Sequence, residues 1–313
     1  MNHTAMWMEP VMKETVWGGS KLRSVMGKTI PSDHTGESWE IAAHRNGQSR
    51  IVTGPLAGKT MQEAIEIAPQ EILGTYIWQK YGTHFPLLIK LIDANDNLSV
   101  QVHPSDAMAA KLEGAGESGK TEMWVVLEAK PDAKLLYGFK KEVTPQAFAK
   151  AIEEQKLEDL VNWVPVQKRD AFFIPAGTLH AIGAGILLAE IQQNSDTTYR
   201  VYDFGRLGLD GKPRELHVEK ALQVTDLHSS QGREYANLET GILCPYFKTW
   251  RHTLQGEYRL QLEADRFEIL MVLEGSGSLS GRPFKAGDSI LLPAALEEVF
   301  LEGNAQYLQV IPE

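Results

Sequence analysis

Two side chains able to bind a metal ion lie two residues apart in a segment with the pattern of a β-strand. In LSVQVHP, residues 98–104, apolar and polar residues alternate, which is typical of a strand with one buried face. Gln101 and His103 therefore project from the same face, and Pro104 ends the strand. Neighbouring donors on a rigid element are one part of a metal site, so further ligands are sought downstream.

Two more candidate ligands lie at the ends of later predicted strands. Glu122 opens an apolar run that ends near residue 127, and His180 follows the turn PAGTL at 175–179. Imidazole and carboxylate ligands without a thiolate suit zinc or another first-row divalent ion, here one ion per chain. With only two histidines, one coordination position can stay open, which is typical of a catalytic site. The alternatives are a surface or hydrogen-bonded His103 and an ordinary strand-edge carboxylate at Glu122.

Charged residues near these ligands could do acid–base chemistry. Lys120 shares the parity of Glu122 on its strand, and Glu190 projects from an otherwise apolar strand, so either could act as a base. Arg200 has a permanently charged, forked group that can stabilise an oxyanion or hold a phosphate. The structural alternatives are a solvated Lys120 and an ion pair of Arg200 with Asp196 or Asp203. Lys90 lies in an apolar run, where it could snorkel, pair or act in the site.

Other segments are assigned from periodicity and breakers. Apolar spacing predicts a helix over 61–81 that Pro69 interrupts, and a short helix over 107–112. Thr144 and Pro145 predict the start of a helix that runs to about Trp163. A further helix is predicted over 213–225. The glycine-rich stretch 114–119 lacks the spacing of a phosphate-binding loop and is interpreted as surface loop.

An internal repeat organises the chain. EMWVVLE at 122–128 resembles EILMVLE at 268–274, and RDAFFIPA at 169–176 resembles GDSILLPA at 287–294, in the same order. The second copy has no counterpart of His180. We therefore predict two related β-barrels: a catalytic domain over 1–235 with helical insertions, and a domain over 236–313 without a metal site.

Composition limits the classes of partner. The net charge of −10 argues against a nucleic-acid surface or an anionic membrane as partner. A single cysteine, Cys244, excludes an intrachain disulfide. The start of the chain does not resemble a signal peptide, and no apolar run is long enough to span a membrane. A cytoplasmic location is therefore expected, and the oligomeric state cannot be read from the sequence.

The ligand pattern resembles that of the cupins, and the motifs narrow the resemblance to type I mannose-6-phosphate isomerase in its short bacterial form. They span about residues 36–206 in the order GESWEI (36–41), LIKLIDA (88–94), LSVQVHP (98–104), KTE (120–122), PAGTLHAI (175–182) and EIQQNSDTTYR (190–200). The resemblance implies a mainly β fold with two jelly-roll barrels. It implies that Gln101, His103, Glu122 and His180 bind zinc, that Arg200 is the active-site arginine, and that Lys120, Glu190 and Asp196 line the pocket.

The implied reaction interconverts D-mannose 6-phosphate and D-fructose 6-phosphate through an enediol. It needs a base for a carbon-bound proton, a cation for the enediolate oxygens and a basic group for the phosphate. Lys120, Glu190 and a metal-bound water remain candidates for the base, and Lys90 and Asp196 for substrate binding. Two other functions are considered: a sugar-phosphate-binding cupin without turnover, acting as a sensor, and a cupin oxygenase, which would more usually carry a His-x-His pair.

Overall fold

The fold is mainly β, as predicted, and a computed structural model describes residues 4–232 and 234–313. The strands of the first part are β1 (Met6–Glu9), β2 (Val11–Gly19), β3 (Thr35–Ile41), β4 (Ala43–His44), β5 (Gly47–Gln48), β6 (Arg50–Ile51), β7 (Leu87–Ala94), β8 (Val100–Val102), β9 (Glu122–Ala129), β10 (Lys134–Phe139), β11 (Val161–Pro165), β12 (Ala171–Ile174), β13 (His180–Ile182), β14 (Ile186–Gln193) and β15 (Tyr199–Tyr202). Those of the second part are β16 (Ile242–Leu243), β17 (Phe247–Gln261), β18 (Glu268–Leu279), β19 (Arg282–Lys285), β20 (Ser289–Leu292) and β21 (Glu298–Pro312). The helices are α1 (Lys21–Ser24), α2 (Met61–Ile67), α3 (Pro69–Leu73), α4 (Thr75–Tyr81), α5 (Asp106–Leu112), α6 (Pro145–Glu153) and α7 (Val218–Val224), with a 3₁₀ turn at Leu157–Asp159.

Two facing sheets form the first barrel. One has the order β12-β9-β14-β7-β3-β2 and the other the order β11-β10-β13-β8-β15. Apolar side chains from both sheets, among them Trp124, Leu188, Leu135 and Ile182, make one buried cluster between them. Alternate residues of β9 and β14 therefore point into this barrel, and the intervening residues pack against the second barrel.

Three of the candidate site residues are brought together by strand pairing. Gln101 on β8 pairs with His180 on β13 on one side and with Arg200 on β15 on the other. Directly paired residues point to the same face of a sheet, so these three side chains share one face. The strand is shorter than 98–104, and within it the alternation holds: Val100 and Val102 share an apolar cluster on the face opposite to Gln101. The prediction that Leu98 shares their face is wrong, because Leu98 lies before the strand and packs in the cluster between the two sheets.

The second barrel is built on one sheet in the order β16-β17-β21-β18-β20-β1-β6, with β19 paired to β18. Its strands β1 and β6 come from the start of the chain: Met6 pairs with Leu291, and Met8 pairs with Ile51. The N-terminal strand is thus part of the C-terminal sheet. The division at residue 235, which would assign β1 to the catalytic domain, stays a prediction.

The two copies of the internal repeat have the same strand register. Glu122 pairs with Ile174 just before Pro175, and Glu268 pairs with Leu292 just before Pro293. Glu268 is therefore the counterpart of Glu122 in the second barrel, and this equivalence supports a duplication.

Some predicted helices have different bounds. The helix that begins after Thr144 ends at Glu153, not near Trp163, because Gln155 adopts a φ of 56°. Trp163 lies in β11 and pairs with Leu136 of β10. The segment 61–81, predicted as one interrupted helix, forms three helices in the structure. Gly74, with a φ of 84°, separates the second from the third. The helix over 213–225 covers only Val218–Val224.

Among the described residues, no helix is long and apolar enough to cross a membrane.

Glu268 should make the second barrel sensitive to pH. Its side chain is buried, Gln309 donates a 2.6 Å hydrogen bond to it, and burial raises its pKa from 4.5 to about 7. Glu263 raises the pKa further and Arg266 opposes this. The stability contributed by the protonated carboxyl is complete below pH 4.5 and is lost as the pH rises through 7.

We predict that Glu268→Gln, which stays neutral and can still accept from Gln309, stabilises the protein at pH 8 by up to about 3 kcal/mol and has little effect at pH 4.5. Urea unfolding at the two pH values measures this. The exposed Glu302→Gln is the matched control. Equal pH dependence in wild type and Glu268→Gln would contradict the assignment.

Candidate active site

Two histidines and one glutamate converge inside the first barrel with a spacing that fits a metal ion. Glu122 Oε2 lies 3.5 Å from His103 Nε2, and Glu122 Oε1 lies 3.5 Å from His180 Nε2. All three side chains are buried, and their ligand atoms lie within 4.8 Å of one another. Ligand atoms around tetrahedral zinc with bonds of about 2.1 Å lie about 3.4 Å apart, which the two histidine–glutamate distances approach.

Backbone carbonyls set the tautomer of both histidines. His103 Nδ1 lies 2.9 Å from the carbonyl oxygen of Thr197, and His180 Nδ1 lies 2.8 Å from that of Thr178. A carbonyl oxygen only accepts, so both Nδ1 atoms donate and both Nε2 atoms carry lone pairs directed at Glu122. Burial lowers the pKa of His180 to about 4 and that of His103 well below its usual value. Both rings are neutral at pH 7, as metal ligands must be.

Glu122 lacks well-aligned donors. Both of its oxygens are buried without a hydrogen bond of good geometry, although Lys120 Nζ lies 2.9 Å from Oε2. Burial raises the pKa of this carboxyl to about 7. Lys120 balances the charge of this buried carboxylate without a hydrogen bond of good geometry, and a bound cation would satisfy both oxygens. The donor set and this poorly satisfied carboxylate therefore fit a divalent metal ion.

Gln101 lies beside the group. Its Nε2 lies 3.4 Å from His180 Nε2, and its Oε1 accepts a 3.2 Å hydrogen bond from Ser99 Oγ. The side chain is thus in contact with one candidate ligand, His180, and direct ligation by Gln101 stays a prediction.

Lys120 lies two residues before Glu122, and its side chain extends into the same space. Its ammonium lies 3.0 Å from His103 Nε2 and 2.9 Å from Glu122 Oε2. Because Nε2 has a single lone pair, Lys120 and a metal ion would compete for it. The solvated alternative for Lys120 is wrong, since only 5% of the residue is exposed.

Glu190 and Lys90 form a buried pair at the wall of the cleft. Lys90 Nζ lies 3.2 Å from Glu190 Oε1 and 3.6 Å from Glu37 Oε2. Trp124 Nε1 donates a 3.0 Å hydrogen bond to Glu190 Oε2. Burial alone would raise the pKa of Glu190, but Lys90 and Lys120 outweigh it and lower the pKa. Burial alone would lower the pKa of Lys90, but Glu37 and Glu190 raise it. The pair is therefore ionised.

Arg200 has neutral hydrogen-bond partners. It donates to Ser99 Oγ at 3.2 Å and to the carbonyl oxygen of Glu215 at 2.8 Å. The structural alternative of an Arg200 ion pair is wrong for Asp203, which accepts instead from Arg214 at 2.7 Å and from Arg206 at 2.9 Å. Burial lowers the pKa of Arg200, which remains charged, and its charge is available to an anion.

Asp196 lies at the same cleft, where Asn46 donates to Oδ2 and His44 Nε2 lies 3.6 Å from Oδ1. His44 Nδ1 accepts from the backbone N–H of Asn46, so Nε2 carries the hydrogen that faces Asp196. The carboxylate is held by its neighbours at the wall of the cleft.

The cleft has about 650 Å³ of space, including open solvent, and contains more residues than the sequence analysis identified. The predicted residues that line it are Lys90, Gln101, Lys120, Glu190, Asp196 and Arg200. The residues that were missed are Trp17, Glu37, Trp39, Ser99 and Arg214. Glu37 and Trp39 share parity in the motif at 36–41, as Ser99 does with Gln101, and this alternation could have indicated them. Arg214 lies outside any strand and gave no such signal.

Comparison with known proteins identifies the family. The family model of the phosphomannose isomerase type I catalytic domain matches residues 6–142, and that of the mannose-6-phosphate isomerase cupin domain matches residues 238–312. The chain is 41% identical to the mannose-6-phosphate isomerase ManA of Bacillus subtilis, over 98% of each chain. The chain belongs to the type I phosphomannose isomerase family. It is also 36% identical to the mannose-6-phosphate isomerase of Streptococcus mutans, over 97% of this chain and 96% of the relative.

Solved structures agree with this assignment. The crystal structure of a mannose 6-phosphate isomerase from Bacillus subtilis superposes with a TM-score of 0.86 at 34% identity, covering 98% of this chain and 99% of that chain. A putative mannosephosphate isomerase from Archaeoglobus fulgidus, 24% identical, covers 98% of both chains with a TM-score of 0.82 and shows the fold alone. The predicted family, the two-barrel cupin fold and the isomerase class are confirmed.

We predict that His180→Ala retains the fold and loses bound metal, because His180 supplies one of three converging ligand atoms. Metal content per chain, measured after zinc loading and gel filtration, tests this, with circular dichroism as the check on folding. His228→Ala, at an exposed histidine, is the control. Full metal content in a folded His180→Ala protein would show that the ligand assignment is wrong.

Proposed function

We propose that this chain interconverts D-mannose 6-phosphate and D-fructose 6-phosphate in the cleft next to His103, Glu122 and His180. The observation that carries the proposal is the combination of a buried cation site with an ionised Glu190 and an uncompensated Arg200 around one cleft. Aldose–ketose isomerisation needs these three elements: a cation at the oxygens, a base at carbon and an anchor for the phosphate.

Zinc is the proposed ion, held by His103, Glu122 and His180, with Gln101 as a fourth candidate ligand. When bound, it would supply Lewis-acid stabilisation of negative charge on the substrate oxygens. Two neutral imidazoles and one carboxylate match the known preferences of zinc.

Glu190 is proposed as the base that carries the carbon-bound proton. It would remove the proton from C2 of the open-chain aldose to give an enediol, and return it to C1 to give the ketose. Its carboxylate is ionised, and Lys90 and Trp124 fix it from two sides. A fixed, charged carboxylate at the wall of the cleft suits this role.

Lys120 is proposed to handle the protons on oxygen. Its side chain is buried and lines the cleft, and zinc bound at His103 and Glu122 would displace the ammonium from these two acceptors, so that it could donate to a substrate oxygen. It would protonate O1 as C2 loses its proton, and accept the proton of O2 in the second half. Each half-reaction is then balanced by one transfer at carbon and one at oxygen.

The phosphate is proposed to bind at Arg200 and Arg214, which line the cleft together. Asp203 accepts from Arg214, whereas the acceptors of the Arg200 guanidinium in the described part of the chain are two neutral oxygens, those of the Ser99 hydroxyl and the Glu215 carbonyl. Two guanidinium groups near one another attract a dianion and offer forked donors to it. Asp196 is proposed to accept a hydrogen bond from a sugar hydroxyl.

Family membership supports the isomerase over the two other functions considered, the non-catalytic sensor and the oxygenase. The predictions of a cytoplasmic location and of no nucleic-acid or membrane partner stay predictions.

A coupled assay tests the proposed reaction. The zinc-loaded chain should convert mannose 6-phosphate to fructose 6-phosphate, detected through glucose-6-phosphate isomerase and dehydrogenase as NADPH. Chelation should abolish turnover, and added zinc should restore it. No turnover in either state would refute the proposal, and undiminished turnover after complete metal removal would refute the role of the metal.

Glu190→Gln should lower kcat by about 10²–10⁴-fold, because the amide keeps the hydrogen bond from Trp124 but cannot take a proton. Its KM should change little. Incorporation of solvent deuterium at C1 or C2 should slow in parallel. Lys120→Met should also lower kcat. A Glu190→Gln protein that retains wild-type deuterium incorporation would exclude Glu190 as the carbon base.

A further inference from the structure

The segment 119–121 contains Lys120 and directly precedes Glu122. Each of its three backbone N–H groups donates a hydrogen bond. Gly119 N donates to Asp106 Oδ1 at 2.7 Å, Lys120 N to the carbonyl of Pro104 at 3.0 Å, and Thr121 N to Gln193 Oε1 at 2.9 Å. A side chain at Gly119 would come within 2.5 Å of the backbone nitrogen of Asp106, so only glycine allows this approach.

The carboxylate of Asp106 links two of these three hydrogen bonds. Besides Gly119, its Oδ1 accepts from Gln193 Nε2 at 2.9 Å. The orientation of the Gln193 amide follows from its partners, because its oxygen must face the Thr121 N–H and its nitrogen must face the carboxylate. Asp106 therefore orders two of the three N–H groups, one directly and one through Gln193.

The second oxygen of Asp106 is bound from the other part of the chain. Tyr246, which lies between β16 and β17 of the second barrel, donates from its hydroxyl to Asp106 Oδ2 at 2.9 Å. Burial and this bond raise the pKa of Tyr246 to about 12, so the phenol remains a donor. The hydroxyl of Thr121 also accepts from the N–H of Ala176, in the turn before His180.

We propose that Asp106 and Tyr246 are positioning residues, through which the second barrel fixes Lys120 and Glu122 at the metal-binding group. Neither touches Lys120, Glu122 or either histidine in the contacts described above. They act on the backbone on both sides of Lys120, at the N–H groups of Gly119 and Thr121, and a shift there would move the ammonium of Lys120 and the carboxylate of Glu122 together. Removing a group that bonds a metal ligand directly usually changes metal affinity or activity about 10–100-fold, so we expect effects at or below the lower end of this range for residues one connection further away. The inference rests on the proposed function only for its kinetic readout.

The test compares Tyr246→Phe with Tyr235→Phe, in which the lost hydroxyl bonds only the carbonyl of Pro165 among the contacts found for it. Tyr246→Phe should lower kcat about 3-fold with KM nearly unchanged, and Tyr235→Phe should match wild type. Asp106→Ala should lower kcat and zinc affinity, measured by chelator competition, about 10-fold. Asp106→Asn should recover most of both, because its oxygen can serve Gly119 and Gln193 while its amide donates to the phenol.

A double-mutant cycle completes the test. Tyr246→Phe should have no further effect in the Asp106→Ala background, since both changes interrupt one connection. The proposal is overturned if Tyr246→Phe lowers only thermal stability, if it equals Tyr235→Phe in kcat, or if the two losses multiply. Should Asp106→Ala fail to fold, Tyr246→Phe and Asp106→Asn still decide. An inactive wild-type protein would refute the proposed reaction, while zinc affinity would still test the positioning network.

Discussion

Glu122 is the residue on which the arrangement of the site depends. Its carboxylate is buried between two neutral imidazoles, and within residues 4–232 and 234–313 no donor of good hydrogen-bond geometry reaches either oxygen. A group in this state raises its pKa or binds a cation, because the interior cannot solvate the charge. The surrounding polar residues follow from this need: the carbonyls of Thr197 and Thr178 orient the two rings, and Lys120 supplies a nearby positive charge.

The duplicated architecture shows how the same position can be used differently. Glu268 has the register of Glu122, but its nearest polar partner is Gln309, which donates a 2.6 Å hydrogen bond. Both carboxyls have a pKa raised to about 7 by burial. In the first barrel the charges of Lys120 and Lys90 oppose the effect of burial on the pKa, whereas in the second the hydrogen bond from Gln309 and the charge of Arg266 oppose it. The fold thus allows a buried glutamate at this position, and its neighbours decide its chemistry.

The two barrels are not independent in this chain. Strand β1 lies in the sheet of the second barrel, and apolar side chains of β9, β14, β18 and β21 form one cluster between the barrels. Tyr246 adds a polar contact to Asp106 next to the site. The second barrel therefore reaches Asp106, whose other oxygen accepts from the N–H of Gly119 next to Lys120.

The sequence by itself determined the family, the two-barrel fold and six of the polar residues that line the cleft. For Gln101, His103 and His180, the alternation along β8 and the turn before His180 were sufficient signals. A period of two fixes which side chains of a strand share a face. Local sequence signals predicted wrong bounds where pairing with a distant strand determines the structure. The residues after Glu153 form a 3₁₀ turn and a strand rather than a longer helix, since Trp163 is paired with Leu136. Only the tertiary structure decided that Asp203 accepts from Arg214 and not from Arg200, and that Arg214 lines the cleft. It also decided that β1 pairs with a strand of the second barrel. These contacts join residues distant in sequence, and their geometry is set by packing rather than by periodicity.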